Sequence, residues 1–310
     1  SQLKEALKKT RVVCGTLASI SGKPELFHLK EFQRLIVDEA SQILEPQIIG
    51  LLPHFDHFCL IGDHHQLPAI VTQAEEHCHY QSNRLIQCGF QRLSESLFGR
   101  MFRQLSAGNH HHNYAMLRQQ GRMHQKINAL VSRLFYRNKL SILPDEIDRS
   151  REQKQELKFD LSSKASKQSM HHLLANQRLV FVDVRSKQGF SIEKSSPLEA
   201  RIVKQVLNTI KDLMGEKFSA GEIGIITPFK AQIATIRREI ESEPAFEKIK
   251  TDTVERYQGG SKSIVILSMA VQSKFSLQQI INENEEGIER KLNVALSRAR
   301  DQFICIGDAN

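Results

Sequence analysis

The chain has 310 residues, of which 40% are hydrophobic and 25% are charged, a composition that predicts about two ordinary globular domains. Its net charge of +8 and its pI of about 9.2 favour a polyanionic partner such as nucleic acid. No apolar run approaches the roughly 18 residues of a membrane span and no signal peptide is visible, so no membrane partner is expected. The 5 scattered cysteines, without a C-x-x-C pair, favour free thiols in a reducing cytoplasm.

The chain opens on the end of a predicted helix at residues 1–9, and residues 11–16 read as a strand and turn. Because the first residue already lies inside that helix, we expect the chain to be a fragment of a longer protein. A short helix is predicted at residues 47–52 and ends near Pro53.

Two acidic residues follow a short apolar run at residues 35–37. A run of this length with β-branched members predicts a buried strand of a parallel sheet, and ligands bind outside the carboxyl ends of such strands. Hydrolysis of a phosphoanhydride needs a carboxylate that holds Mg²⁺ and a group that positions or deprotonates water. Asp38 suits the first role and Glu39 the second. The alternative is a strand that ends in two solvated acids.

A second buried strand is predicted from residue 58, and Asp63 and Gln66 follow it. If the two strands are neighbours, these residues lie beside the first acidic pair, where a glutamine amide can contact a γ-phosphate. The alternative is an ordinary capped loop. The histidine-rich stretches 77–79 and 110–112 have no partner cluster at zinc-ligand spacing, so we interpret them as polar loops.

Residues 93–105 have helical apolar spacing, and a polar stretch follows at residues 108–113. We therefore expect a first domain that ends near Ser106 and a second domain at residues 107–310. Another helix is predicted at residues 125–135. Residues near 145–175 are rich in Lys, Glu, Gln and Ser, which predicts a polar and partly disordered excursion.

The remaining sequence alternates between strand and helix patterns. Strands are predicted at residues 179–184, 223–226, 264–268 and 303–306, and helices at residues 197–214, from 231 onward, and 292–299. This alternation is typical of parallel βαβ units. The expected fold class is therefore α/β, with two parallel-sheet domains.

Six short motifs, in this order, resemble those of superfamily 1 helicases, in particular the 1B branch that includes the RNA-surveillance (nonsense-mediated decay) helicase and its DNA-replication relatives. The motifs are Asp38-Glu-Ala-Ser41, Gly62-Asp-His-His-Gln-Leu-Pro68, Gln120-Gly-Arg-Met-His124, Ile225-Ile-Thr-Pro-Phe-Lys-Ala-Gln232, Asp252-Thr-Val-Glu-Arg-Tyr-Gln-Gly259 and Asn293-Val-Ala-Leu-Ser-Arg-Ala-Arg300. The resemblance covers nearly the whole chain.

This resemblance implies two RecA-like domains, the first lacking its N-terminal part, which clamp ATP and Mg²⁺ between them. Their opening and closing moves a single strand of DNA or RNA, 5′ to 3′, and we expect a monomer. The implied hydrolytic residues are Glu39, Gln66, Arg122 and Arg298. The implied nucleotide-binding residues are Asp38 (the Mg²⁺ ligand), Asp63, Gln258 and Gly259. The implied contacts to the nucleic-acid backbone are Thr16, Ser19, Thr227, Pro228 and Lys230.

Each role also has a simpler alternative. Thr16 and Ser19 also suit ordinary turn chemistry, and Arg298 also suits a solvated helix face. Arg300 lies two positions beyond Arg298 and receives no role. Gly121 stands where the family usually has Tyr, and Ser261 stands where it has Glu.

The sequence contains no G-x-x-x-x-G-K-[ST] phosphate loop. Gly22-Lys23 does not qualify, because Pro24 follows it and Leu17 stands in place of the first glycine. We expect the loop to lie upstream, and this chain alone to bind nucleotide weakly and hydrolyse it poorly. The rival hypothesis is a non-catalytic nucleic-acid-binding or partner-docking module with a degenerate NTPase site. A third is a helicase fused to a nuclease or another effector.

Overall fold

The computed structural model describes residues 2–144, 169–184, 194–271, 273–284 and 286–309. The chain divides into two compact units, residues 1–116 (unit 1) and residues 117–310 (unit 2), so the division follows the polar stretch at 108–113 instead of preceding it at Ser106. Most of the excursion expected near 145–175 lies outside the described residues. Its last part is a helix that begins at Ser169 and buries Leu174 completely, which corrects the expectation for that part.

The helices and strands have the following bounds. Unit 1 contains helices α1 (Gln2–Lys9), α2 (Leu17–Ser21), α3 (Glu25–Leu29), α4 (Glu45–Ile48), α5 (Asn83–Gln87) and α6 (Leu97–Ala107), and strands β1 (Arg34–Val37) and β2 (His57–Leu60). Unit 2 contains helices α7 (Gln125–Phe135), α8 (Ser169–Asn176), α9 (Pro197–Met214), α10 (Lys230–Ile240), α11 (Lys274–Ile280) and α12 (Arg290–Ser297). Its strands are β3 (Gln119–Gln120), β4 (Ser141–Ile142), β5 (Leu179–Asp183), β6 (Ile223–Thr227), β7 (Lys250–Thr253), β8 (Lys262–Ser268) and β9 (Ala299–Gly307).

Unit 1 is built on the parallel pair β1 and β2, whose register aligns Val37 with Leu60. The two strands are therefore neighbours, which is the condition for bringing their polar ends together. The prediction that both are buried strands was wrong, because only Val37 among their residues is buried. A small buried core packs beside them and consists of Val37, Ala40, Ile48 and Leu97. The strand predicted at residues 11–16 was wrong. A strand needs a neighbouring ladder, and among the described residues β1 and β2 pair only with each other.

Helix α6 is fixed in unit 1 by a cap and by a buried ion pair. The Ser96 hydroxyl accepts a hydrogen bond of 3.1 Å from the Gly99 amide, which explains why the helix begins at Leu97 and not at residue 93. Arg100 Nε donates to a Glu45 carboxylate oxygen at 2.8 Å, and this hydrogen bond raises the pKa of Arg100. Removing one member of such a pair leaves a buried charge without its partner, so α6 and α4 depend on each other.

Gly62 lets the loop after β2 approach the loop after β1. A Cβ atom at this position would lie 2.9 Å from the backbone nitrogen of Ser41 and 3.3 Å from the Phe98 ring. The Asp63 amide donates to the Ser41 hydroxyl at 3.3 Å across the same gap. Since a backbone nitrogen cannot turn aside like a side chain, a larger residue at this position would separate the two loops.

Unit 2 is built on five described strands, all parallel, in the order β5-β9-β8-β6-β7. This arrangement confirms the α/β class. Strand β6 is buried along its whole length, as suits an interior strand of a parallel sheet. The main core includes residues of α9 and of the sheet: Val203, Val206, Leu207, Ile210, Ile225, Ile266 and Ile304. None of the helices in the described ranges has the length and hydropathy that crossing a bilayer requires.

The predicted elements of unit 2 are confirmed in outline, and α7 and α9 have the predicted bounds. Strand β9 begins earlier than predicted, at Ala299, because polar residues in its first half hide the strand pattern. Gln302 is fully buried, yet its Nε2 donates to the carbonyls of Leu174 and Gln177 at 2.7 and 2.6 Å. Strand β7 and helices α8 and α11 were not predicted.

A buried hydrogen-bond network surrounds Glu199 in the first turn of α9. Its Oε2 accepts from the Ser268 hydroxyl at 2.8 Å and from the Ala270 amide at 2.9 Å. Gln232 Nε2 donates to the Ser268 hydroxyl at 2.9 Å, and Gln232 Oε1 accepts from the Ser196 amide at 2.7 Å. The network joins the start of α9, helix α10 and the end of β8. Burial raises the pKa of Glu199 to about 7, although the hydrogen bonds oppose this shift.

We expect the substitution Glu199→Gln to flatten the pH dependence of stability. The folded chain keeps the carboxyl proton up to a pKa of about 7, whereas an unperturbed glutamate carboxyl has a pKa of 4.5. Wild-type stability therefore falls as the pH rises through this window, by on the order of 3 kcal/mol. E199Q keeps an acceptor oxygen and has no proton to lose.

The measurement is urea unfolding, followed by circular dichroism, at about pH 5 and about pH 8. Glu216→Gln, at an exposed position, is the matched control and should follow the wild type. The titratable neighbours of Glu199 are Cys305 and Asp308, which E199Q leaves in place. Equal pH slopes for wild type and E199Q would contradict the assignment.

We expect Gly62→Ala to destabilise unit 1 by roughly 1–3 kcal/mol, because the added methyl group overpacks the gap between the two loops. Gly50→Ala is the matched control, since a Cβ there meets nothing within 4 Å. Thermal unfolding of both variants gives the comparison. If G62A is as stable as G50A, the loops do not depend on this close approach.

Candidate functional site

The acidic pair of unit 1 lies directly after β1, on an exposed and strained turn. Glu39 adopts a left-handed conformation with φ 52° and ψ 36°, which non-glycine residues rarely adopt and which is frequent at functional sites. The Glu39 amide donates to Asp38 Oδ1 at 2.9 Å, and Gln42 Nε2 donates to Glu39 Oε2 at 2.6 Å. Both carboxylates are therefore exposed but held by short local hydrogen bonds.

The loop after β2 lies against this turn. The Ile61 amide donates to the Val37 carbonyl, and the Ala40 amide donates to the Ile61 carbonyl, both at 2.8 Å. Asp63 Oδ2 accepts from Gln66 Nε2 at 2.8 Å, so these two predicted residues contact each other directly. The structure thus brings together the strand ends that carry the four residues of unit 1 predicted to act in hydrolysis and nucleotide binding.

The loops after β1 and β2 offer the oxygen ligands that Mg²⁺ requires. Magnesium takes oxygen ligands and is usually held by one or two carboxylates together with substrate phosphates. Asp38 supplies an exposed carboxylate next to the strand end, and Asp63 supplies a second on the adjacent loop. The residues therefore fit the ion.

Arg122 of unit 2 lies in a turn that the Gln120 side chain shapes. Gln120 Oε1 accepts from the amides of Arg122 and Met123 at 2.8 and 2.7 Å, and its Nε2 donates to the Met123 carbonyl at 3.1 Å. The His124 amide donates to the Arg300 carbonyl at 2.7 Å, which ties the turn to β9. Arg122 itself is exposed, and its Nη1 lies 3.5 Å from the Ser297 carbonyl at the end of α12.

Arg298 is only 3% exposed, so its interpretation as part of a solvated helix face was wrong. Its Nε donates to the Val294 carbonyl at 3.3 Å, and its Nη1 donates to the Gly260 carbonyl at 3.2 Å. These contacts join the motif at 293–300 to the loop at 258–260. Two predicted groups that are distant in sequence therefore meet in unit 2.

The loop at 258–260 has two features that suit a ligand. Gly259 adopts φ 81°, and a Cβ there would meet nothing within 4 Å, so the glycine serves the backbone conformation. Gln258 Nε2 is buried and has no hydrogen-bond partner within the described ranges. A buried donor without an acceptor is unfavourable by about 1–3 kcal/mol, which a phosphate oxygen or a water would relieve.

Arg300, to which the sequence assigned no role, is a structural residue. Its Nη2 donates to the Ser263 hydroxyl at 2.8 Å and forms an ion pair with Glu222. Partial burial of Glu222 opposes ionisation, but the hydrogen bond from Ser263 and the charge of Arg300 outweigh it and lower the pKa of Glu222. No sequence signal links Arg300 to Glu222, because 78 positions separate them.

The residues predicted to contact the nucleic-acid backbone differ in their solvent exposure. Thr227 is fully buried, and its hydroxyl has no partner in the described part of the chain, whereas Lys230 is exposed at the start of α10. In unit 1, the Thr16 hydroxyl accepts from the Ser19 amide at 3.2 Å and caps α2, which is the turn chemistry considered as the alternative. Both of these residues are also exposed.

The predicted site residues of unit 2 lie at opposite edges of its main sheet. Gly260 and Arg298 come just before β8 and β9 and therefore lie at the amino edge. Thr227 ends β6, so Pro228 and Lys230 lie at the carboxyl edge. The rule that ligands bind at carboxyl ends predicts only the second group.

Comparisons with known proteins agree with these motifs. A family profile described as AAA domain matches residues 93–310, and a second profile of the same description matches residues 1–74. DNA replication ATP-dependent helicase/nuclease DNA2 of Xenopus laevis is 30% identical over 316 residues, which cover 99% of this chain and 27% of that protein. DNA replication ATP-dependent helicase/nuclease JHS1 of Arabidopsis thaliana is 28% identical over 312 residues, which cover 98% and 21%.

A third relative is archaeal. The uncharacterized ATP-dependent helicase MJ0104 of Methanocaldococcus jannaschii is 26% identical over 309 residues, which cover 99% of this chain and 40% of that protein. The chain thus spans less than half the length of each of these relatives. With its AAA-domain match over residues 93–310 and its ordered motifs, the chain belongs to the superfamily 1 helicases.

Proposed function

We propose that this chain is the motor part of an ATP-dependent helicase or translocase that couples ATP hydrolysis to movement along a single strand. The observation that carries the proposal is the meeting of Arg122, Arg298 and the loop at 258–260 within unit 2. Arg122 and Ser297 are 175 positions apart in sequence, yet Arg122 contacts the carbonyl of the residue that precedes Arg298, and Arg298 itself contacts the loop that carries the buried amide donor of Gln258. A module that only binds nucleic acid needs no such group.

In unit 1 the proposed chemistry is water activation. Glu39 deprotonates or positions the attacking water, and its hydrogen bond from Gln42 fixes the carboxylate. Asp38 holds Mg²⁺, which neutralises phosphate charge when bound. Gln66, oriented by Asp63, contacts the γ-phosphate through its amide.

In unit 2 the proposed chemistry is stabilisation of the charge that develops on the transferred phosphoryl group. Arg122 provides an exposed guanidinium for this purpose, and Arg298 provides a second one whose position is fixed by backbone carbonyls. Gln258 donates its buried amide hydrogen to a phosphate, and the Gly259 backbone lets the nucleotide approach closely.

The proposed partner is a single strand, bound through its phosphates at Lys230 and the neighbouring Thr227 and Pro228, and at Thr16 and Ser19. Backbone contacts of this kind position a strand without reading its sequence, and their affinity falls steeply with salt. The names of the two eukaryotic relatives refer to DNA replication, which favours DNA over RNA. We expect a monomer in a reducing cytoplasm, where the 5 free cysteines remain thiols.

The first test is steady-state ATP hydrolysis, with and without single-stranded DNA, by this chain and by the longest native protein that contains it. In the protein that turns over, we expect Glu39→Gln to lower the strand-stimulated rate by about 10²–10⁴-fold, because a general base contributes that much. Glu31→Gln, an exposed acid ahead of β1, is the matched control. Absence of stimulation in the wild type, or an unchanged rate in E39Q, would favour the non-catalytic module.

We further expect Arg122→Ala to lower the hydrolysis rate by about 10³-fold or more at unchanged stability, because an exposed arginine that stabilises phosphoryl charge contributes little to folding. Arg118→Ala, exposed in the same segment, is the matched control and should keep the wild-type rate. Arg298→Ala should lower both rate and melting temperature, since that side chain is buried. A normal rate in R122A would remove this arginine from the mechanism.

A further inference from the structure

Unit 2 contains an apolar cavity of about 130 Å³ at the carboxyl edge of its sheet, which we call the ring pocket. Its lining includes Pro228, Val254, Met269, Leu277, Ile281 and Ala295. Val254 and Ala295 form a buried floor, at 3% and 1% exposure. Leu277 and Ile281, at 39% and 42%, lie at its mouth. Of the predicted site residues, Pro228 alone lines this cavity.

The size and lining of the ring pocket match one aromatic ring. An engineered apolar cavity of about 150 Å³ stays dry and binds benzene, so a cavity of about 130 Å³ has room for a single six-membered ring. Two fused rings would need more space. Proteins that bind an unstacked nucleobase commonly pack its faces between aromatic or apolar side chains.

The position of the ring pocket links it to the proposed strand path. Pro228 is both a lining residue of the pocket and a predicted backbone contact, and exposed Lys230 follows it at the start of α10. A phosphate held by Lys230 is therefore bound two residues along the chain from the pocket lining at Pro228.

The pocket lining contains two charged residues, and one of them, Lys291, can recognise a polar group of a base. Glu289 is already used, because its Oε1 accepts from the Asn282 amide at 3.0 Å and its other oxygen caps α12 at Leu292. Lys291 Nζ lies 3.4 Å from Glu255, and an ammonium group has three donors, so it can also donate to a base carbonyl. Cytosine, thymine and uracil each carry such a carbonyl at O2.

We propose that the ring pocket receives one pyrimidine base of the bound single strand. This inference rests on the proposed function, since it assumes a strand on the carboxyl edge of unit 2. It gives the protein a pyrimidine preference on top of backbone contacts that do not read sequence.

The test compares the affinities for oligo(dT) and oligo(dA) of about 12 nucleotides, by fluorescence anisotropy. Leu277→Trp fills the mouth of the pocket. Phe275→Trp is the matched control, because Phe275 lies on the same helix, is 54% exposed and does not line the pocket. We expect the dT-to-dA preference to fall about tenfold in L277W and to stay at the wild-type value in F275W. Base stacking within free oligo(dA) affects the measured preference equally for all three proteins, so it does not alter the comparison between them.

The outcomes distinguish a failure of the pocket proposal from a failure of the proposed function. L277W should retain the wild-type salt slope, because the phosphate contacts remain. An unchanged preference in L277W, or an equal loss in F275W, overturns the pocket and leaves the strand-binding proposal intact. Absence of any strand binding by the wild type overturns the proposed function itself. If L277W fails to fold by circular dichroism, Ile281→Trp at the other side of the mouth replaces it under the same criteria.

Discussion

Parallel pairing of the strands decides at which edge of the main sheet the loops that carry Arg298 and Lys230 lie. Because all five described strands of the main sheet point the same way, that sheet has an amino edge and a carboxyl edge that carry different loops. Arg298 and the loop at 258–260 lie at the first edge, and Lys230 lies at the second. Strand β8 has 7 residues, so at about 3.3 Å per residue the edges are roughly 20 Å apart. The candidate site at Arg298 and the candidate nucleic-acid contact at Lys230 are therefore two separate sites of one unit.

The two arginines at the amino edge are held in physically different ways. Arg298 is buried, and a buried guanidinium is tolerated only where hydrogen-bond acceptors surround it, as the carbonyls of Val294 and Gly260 do. Its position therefore depends on the loop at 258–260 keeping its shape. Arg122 is exposed, and what is fixed is the backbone that carries it, through the Gln120 side chain. One arginine is positioned through its own side chain and the other through its turn.

The sequence predicted those features that local pattern alone determines. Helices α7 and α9 were predicted at their observed bounds, because their apolar spacing is uninterrupted and Pro197 marks the start of α9. Prediction failed where contacts between residues distant in sequence determine the structure. Gln302 is polar, so its burial in a strand could not be predicted without its hydrogen bonds to the carbonyls of Leu174 and Gln177. The Glu199 network likewise depends on three separate elements. Within the candidate site, the motifs identified Arg298, but only the fold shows that it is buried.

Helix α12 contributes to both candidate sites of unit 2. Leu292 and Ala295 of this helix line the ring pocket near the strand contacts, while the helix ends at Ser297, beside Arg298 and within 3.5 Å of Arg122. At 1.5 Å per residue its 8 residues span about 12 Å, so the helix covers part of the roughly 20 Å between the two edges. A base in the pocket would contact Leu292 and Ala295, two residues of the helix whose end lies beside the arginines. The proposed base pocket and the proposed arginine site therefore share helix α12, so a shift of this helix would act on both.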